Sequence, residues 1–273
     1  SYLKDLREDK SPLSLYIHLP FCRTACYFCG CNVIYTSKEE NKQLYIKNLQ
    51  KELEILKDSM DTTKIVYQLH FGGGTPTFFN AKELEIIINL LKNTFPNFDK
   101  EAEIACEIDP RYFTTEQMQV LKNGGFNRLS FGVQDFNQEV QAAIHRYQPF
   151  TQVQKAIEIA RDFDIPSINF DLIYGLPYQN LETFKQTLKS CISLNPERFA
   201  IFNYAHVPWL KKTMRKIDET TLPSPEEKLK ILEYTITYLQ EAGYKMIGMD
   251  HFAKADDELF QSIQKGELRR NFQ

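Results

Sequence analysis

Strand-like and helix-like patterns alternate along almost the whole of this 273-residue chain, and that alternation limits its fold more than any other feature. Strand candidates are Leu15–His18, Val66–Phe71, Glu103–Ile108, Arg128–Val133, Ser167–Ile173, Arg198–Asn203 and Lys245–Met249. Helical patterns fill most of the gaps. Glu39–Lys57 sets Leu44, Leu49, Leu53 and Leu56 among charges, and Ala81–Thr94 carries Leu84, Ile87, Ile88 and Leu91 on one face. A helix opening at Thr115 is expected to stop at the paired glycines Gly124 and Gly125. Gln152–Phe163, Leu181–Leu194 and Pro225–Ala242 follow, with Ser224 suited to cap the last and Pro225 to its first turn. Connections of this length imply parallel strands joined by right-handed crossovers. The expected class is α/β. Six or seven such units predict a partly open parallel barrel, with a doubly wound open sheet as the alternative.

Unusual residues gather where the strand candidates end. Four cysteines, Cys22, Cys26, Cys29 and Cys31, follow the first strand and its Leu19-Pro20. Gly72-Gly73-Gly74-Thr75-Pro76-Thr77 follows the second. The third ends in Glu107 and Asp109, and the fourth in Gln134 and Asp135. The fifth contains Asp171 and ends in Tyr174-Gly175, and the sixth ends at Tyr204-Ala205-His206. In a parallel barrel such ends share one mouth, where catalysis is built. Each carboxylate carries two readings, a hydrogen bond inside the scaffold or a contact to a ligand, because an unpaired charge in an apolar strand is costly.

Cys22, Cys26 and Cys29 have the spacing CxxxCxxC. Three thiolates on one short loop suit three irons of a four-iron cluster and leave the fourth iron open. A zinc site, a redox disulfide and chance clustering are the alternatives. Zinc usually takes a second ligand pair at a distance, and a disulfide is unusual in a reducing compartment. Tyr27 and Phe28 are placed to exclude water around such a cluster. The glycine run lets backbone approach a ligand closely, or serves only as a tight turn. Its Thr-Pro-Thr ending is a poor match to a dinucleotide fingerprint.

Composition narrows the setting. A formal net charge of -3 demands neither nucleic acid nor an anionic membrane as partner. No apolar stretch is long enough to span a bilayer, and Ser1–Lys10 lacks the apolar core of a signal peptide. A cytoplasmic protein is therefore expected. The remaining cysteines, Cys106 in a strand pattern and Cys191 in a helical one, read as small buried apolar residues.

The cysteine spacing after one strand and the glycine run after the next resemble the radical S-adenosylmethionine superfamily. The likeness extends further. Tyr16–Cys22, Cys29-Gly30-Cys31-Asn32, Phe71–Thr77, Phe131–Phe136, Asp171–Pro177, Asn203–His206 and Ile247–Ala253 resemble, in order, the oxygen-independent coproporphyrinogen III oxidases. The fold this implies is the α/β, partly open parallel (β/α)6 barrel of that superfamily. The resemblance implies that Cys22, Cys26 and Cys29 bind a [4Fe–4S] cluster whose open iron takes S-adenosyl-L-methionine. It implies contacts to that molecule from Tyr16, Phe28, Gly73 and Glu107. Gly74, Thr75, Gln134, Arg146, Asp171 and Ala205 match positions lining a second S-adenosylmethionine, so two molecules are expected. Cys31 is implied to be a non-ligand with a role in catalysis. It favours the oxidases over related haem chaperones, which carry Phe at the corresponding place.

The implied activity is oxidative decarboxylation of two propionates of coproporphyrinogen III to vinyl groups, giving protoporphyrinogen IX by means of a 5′-deoxyadenosyl radical. The implied partners are that substrate and a reducing electron donor such as flavodoxin or ferredoxin, with no nucleic acid and a monomeric chain. A haem-binding chaperone, a haem-modifying radical enzyme and a zinc-binding interaction protein are the rival readings. The expected organisation is an N-terminal lead at 1–13, a barrel core at 14–253, and at 254–273 the start of a C-terminal region that is truncated, which leaves the chain with little turnover.

Overall fold

The computed structural model describes residues 9–267. The parts of the expected lead and C-terminal region at 1–8 and 268–273 lie outside the described residues. The described residues divide into two compact units, the first comprising residues 9–24, 31–129 and 159–166 and the second residues 25–30, 130–158 and 167–267.

In the first unit, strand β1 (Leu13–Leu19) pairs in parallel with β4 (Val66–Gly73), and β4 pairs in parallel with β5 (Phe98–Ile108). A minimal parallel pair, β2 (Phe21–Cys22) with β3 (Ile34–Tyr35), brackets the cysteine loop. Helices α1 (Glu39–Ser59), α2 (Ala81–Thr94) and α3 (Thr115–Asn123) belong to the same unit. The apolar stripe read from α2 is buried as expected: Leu84, Ile87, Ile88 and Leu91 join Leu69, Phe71 and Cys106 in the core. The Phe71 ring meets Phe126 edge to face, and burying a side chain of this size contributes roughly 2–3 kcal/mol. Both helix starts carry a full capping box, Asn80 with Glu83 and Thr114 with Gln117. Glu83 also receives the buried Lys42 ammonium at 2.9 Å, which ties α1 to α2. Gly125, at φ +85°, closes α3 just after Gly124, where the sequence places the stop.

The second unit holds β7 (Ser167–Tyr174) and β8 (Arg198–Asn203) in parallel, together with the part of β6 (Arg128–Gln134) from Ser130 onward. Its helices are α4 (Gln138–Ala143), the part of α5 (Phe150–Asp162) up to Glu158, α6 (Leu181–Ser193), α7 (Pro225–Glu241) and α8 (Glu258–Gln264). Phe170, Leu172, Phe184, Leu188, Cys191, Phe199 and Ile231 make the core. Ser224 caps α7 by accepting from the Glu227 N–H, with Pro225 in the first turn. The expectation of parallel strands throughout needs one correction. The last candidate forms as β9 (Tyr244–Gly248), but it pairs antiparallel with β10 (His251–Lys254), which in turn pairs antiparallel with β8. Only Met249 and Asp250 separate β9 from β10. That length permits a hairpin and no crossover helix.

Candidate active site

In the first unit the ends of β1, β4 and β5 hold one cluster of polar side chains. Parallel register sets His18 beside Gly72 and Leu19 beside Gly73. Gly73 lies at φ +115°, and a β-carbon there would stand 2.6 Å from Nδ1 of His18. A glycine is therefore required both by conformation and by space. The Glu107 carboxylate accepts from the Gly73 N–H at 3.3 Å through one oxygen and lies 3.2 Å from His70 Nε2 through the other. The Tyr16 ring stacks on His70 at 5.7 Å, and its hydroxyl lies 3.1 Å from His18 Nδ1. Burial, followed by the charges of Glu107 and Cys31, pushes the Tyr16 phenol up to about 12. His18 is held from behind, by its Nε2 at 2.9 Å from the Asn32 carbonyl and by the Tyr45 hydroxyl, which donates to the His18 carbonyl.

Tyr16, Gly73 and Glu107, expected around one ligand, are thus brought together. Thr75 lies with Cys22, its Oγ1 3.5 Å from the sulfur, and the Thr75 and Gly74 amides donate to the Phe21 and Leu19 carbonyls. Cys31 is exposed. Asp109 takes the scaffold reading of its two, since Arg111 clamps it through Nε at 2.9 Å and Nη2 at 2.6 Å.

The second unit holds Cys26, Phe28 and Cys29 with the residues at the ends of β6, β7 and β8. Cys26 is buried, Cys29 half-buried, and the Cys29 N–H donates to the Cys26 carbonyl at 3.2 Å. Phe28 packs with Tyr27 against an apolar cluster of Val140, Ile144, Leu176, Tyr204, Met214 and Ile217. The Arg146 guanidinium donates through Nη1 to the Cys26 sulfur at 3.6 Å and through Nη2 to the Gly132 carbonyl at 2.7 Å. Gln134 lies at φ +65°, a turned backbone that ends β6, and its Nε2 reaches over Gly132. Asp171 accepts from the Ser130 hydroxyl and from Asn169 Nδ2, both at 2.8 Å. Ala205 is exposed between Tyr204 and His206, whose hydroxyl and Nδ1 lie 2.7 Å apart.

Asp135 is wholly buried and accepts from Gln179 Nε2, the Thr187 hydroxyl and the Asn137 N–H. Burial outweighs those hydrogen bonds and lifts its carboxyl to about 6.

Sequence reasoning missed His18, His70, His145 and Gln148. A signal existed for the first two, because His18 follows Tyr16 by two residues and His70 precedes Gly72 by two, so each pair shares a strand face. Among the described residues no group of His, Cys, Asp or Glu converges to hold a single metal ion. A four-iron cluster makes no such demand, since each thiolate takes a different iron. Cysteine sulfurs are the donors such a cluster takes, and the Arg146 guanidinium donates to one of them, that of Cys26. Among the described residues no helix is long and apolar enough to cross a membrane.

The Radical SAM superfamily model matches residues 16–191. The oxygen-independent coproporphyrinogen III oxidase of Helicobacter pylori is 62% identical over 269 residues, covering 98% of this chain and 59% of that protein. The enzyme of the same name from Synechocystis is 48% identical and covers 97% of this chain and 56% of its own length. The solved coproporphyrinogen III oxidase of Escherichia coli superimposes with a TM-score of 0.95 at 44% identity, covering 99% of this chain and 62% of that one. The resemblance read from the motifs is thus borne out, and so is the expected fold class. The chain spans about three fifths of the length of the relatives it matches.

Proposed function

Because the chain belongs to the radical S-adenosylmethionine superfamily, we propose that it forms the cofactor-binding part of an oxygen-independent coproporphyrinogen III oxidase. The observation that carries this reading is the likeness to the Escherichia coli oxidase across 99% of the chain. Cys22, Cys26 and Cys29 are the residues to hold a [4Fe–4S] cluster. Bound together, cluster and S-adenosylmethionine supply a hydrogen-abstracting radical; the protein's task is to bind, orient and exclude water. Tyr16, Gly73 and Glu107 are assigned to the first S-adenosylmethionine, since Glu107 keeps a partly exposed carboxylate beside the Gly73 backbone and can accept from an ammonium or ribose hydroxyl. Phe28 covers the nucleoside side. Gly74, Thr75, Gln134, Arg146, Asp171 and Ala205 are assigned to a second molecule.

Each of two propionates on coproporphyrinogen III then loses a hydrogen atom to that radical, which becomes 5′-deoxyadenosine, and carbon dioxide with one electron that passes to an external one-electron acceptor, leaving a vinyl group and yielding protoporphyrinogen IX in porphyrin biosynthesis. A reducing donor of the flavodoxin or ferredoxin kind delivers the electron that starts each cycle, and the protein works as a cytoplasmic monomer. Cys31, exposed and outside the ligand set, is assigned a part in catalysis.

The test is anaerobic reconstitution with iron and sulfide, reduction, and addition of S-adenosylmethionine with coproporphyrinogen III. Formation of 5′-deoxyadenosine and carbon dioxide is expected. An intact, cluster-loaded enzyme that releases neither contradicts the proposal.

A further inference from the structure

Four contacts fasten the cysteine loop to the segment that follows α4. The Tyr27 N–H donates to the Ile144 carbonyl at 2.9 Å. His145 Nδ1 lies 3.0 Å from the Ala25 carbonyl, and the His145 ring stacks on Tyr27 at 5.0 Å. Arg146 then reaches the Cys26 sulfur at 3.6 Å. His145 takes φ +53° to make this turn, a conformation that side-chain-bearing residues adopt at a cost.

Behind Arg146 stands a fully buried glutamine. Gln148 Oε1 accepts from Arg146 Nε at 3.1 Å, and Gln148 Nε2 donates to the Gly132 and Val133 carbonyls. Gln141, on α4, completes the frame: its Oε1 accepts from the Gln148 N–H at 3.1 Å, and its Nε2 donates to the Gln148 and Asp135 carbonyls, each at 2.9 Å. Gln141, Arg146 and Gln148 are all buried. Both glutamines are held at oxygen and nitrogen, so neither amide can turn over without losing a partner. The guanidinium is oriented by Gln148 Oε1 on one side and the Gly132 carbonyl on the other, and Nη1 is left directed at the sulfur.

We infer that Gln148 is a positioning residue which, framed by Gln141, fixes the Arg146 guanidinium against the Cys26 sulfur and thereby sets the reduction potential of the cluster and the hold of Cys26 on its iron. The inference rests on the proposed role of Cys26 as a cluster ligand. Hydrogen bonds to cluster sulfurs withdraw charge and raise the potential. Residues behind a metal ligand govern affinity in the same way.

The experiment compares the parent chain with Gln148→Met, Arg146→Met and the double variant. Each is reconstituted anaerobically, its midpoint potential is read by a titration followed by electron paramagnetic resonance, and iron release to a chelator is timed. Melting of the cluster-free chains checks folding. Gln148→Met is expected to move the potential to more negative values and to speed iron release by about tenfold. Arg146→Met should do the same, and the double variant should add nothing beyond Arg146→Met alone. Arg146→Lys keeps both glutamines in place and should move the potential the same way, so it reads the contact even if Gln148→Met does not fold. Unchanged potentials and release rates in folded, loaded variants overturn this inference alone, as does an additive double variant. A parent chain that takes up no four-iron cluster overturns the proposed function with it.

Discussion

Glu107 reaches back from the end of β5 to accept the Gly73 N–H at 3.3 Å. One carboxylate thereby fixes the middle of the glycine run while its second oxygen faces His70. Glu107→Gln keeps an oxygen for Gly73 but removes the charge. Affinity of the cluster-loaded chain for S-adenosylmethionine should fall about tenfold, the scale of one hydrogen bond to a charged group. Equilibrium dialysis measures this, and an unaltered dissociation constant would remove Glu107 from the binding set.

Gly73 and Gly243 separate space from conformation. Both have positive φ, +115° and +92°, but a β-carbon at Gly73 meets the His18 ring at 2.6 Å whereas at Gly243 it meets nothing within 4 Å. Gly243→Ala should cost about 1 kcal/mol, the strain of the left-handed region alone. Gly73→Ala adds a collision with an imidazole held on both nitrogens, and should cost about 3 kcal/mol or more. Urea denaturation reads both, and equal losses would show that His18 yields freely.

Asp135 makes a pH-dependent contribution. Its folded carboxyl, at about 6, lies above the ordinary value of 3.8, so the folded state holds the proton more tightly than the unfolded chain. Its contribution to stability is greatest below about pH 4 and declines as pH rises to about 6, by roughly 3 kcal/mol in total. Asp135→Asn loses an acceptor for Gln179 but has no proton to release. The stability difference between parent and variant should therefore change across pH 4 to 6 and be flat above it. A difference constant from pH 4 to 7 contradicts the raised value.

Much of this was legible beforehand because hydrophobic periodicity and caps speak locally. Arg198–Asn203 and Ala81–Thr94 form over those very residues, and Ser224 caps α7 as its type demands. What stayed hidden is short or long-range. Helix α4 has six residues and β10 four, too few for a period to declare itself. The antiparallel turn of β9 depends on β10, so it was hidden with it. Glu107 and Asp109 read alike in sequence; Arg111 makes the second a scaffold group. Gln148 carries no motif, and its meaning comes only from Arg146 and Gln141.

Buried and ligand cysteines should part cleanly. Cys106 and Cys191 are fully buried, and burial raises both thiols well above their ordinary value, which keeps them protonated and inert. Replacing either by Ala should cost about 1–2 kcal/mol of stability and leave cluster content unchanged. Iron analysis beside a thermal melt separates the two effects, and loss of iron in either variant would place that residue among the ligands.

On the function proposed, Cys22, Cys26 and Cys29 hold the cluster while Cys31 does not. Iron and sulfide content, with the electron paramagnetic resonance spectrum after reduction, tests it on the parent and four single Cys→Ala variants. The parent and Cys31→Ala should each carry about four irons per chain, and Cys22→Ala, Cys26→Ala and Cys29→Ala should lose the four-iron signal. A four-iron spectrum surviving in any of those three, or vanishing in Cys31→Ala, contradicts the account.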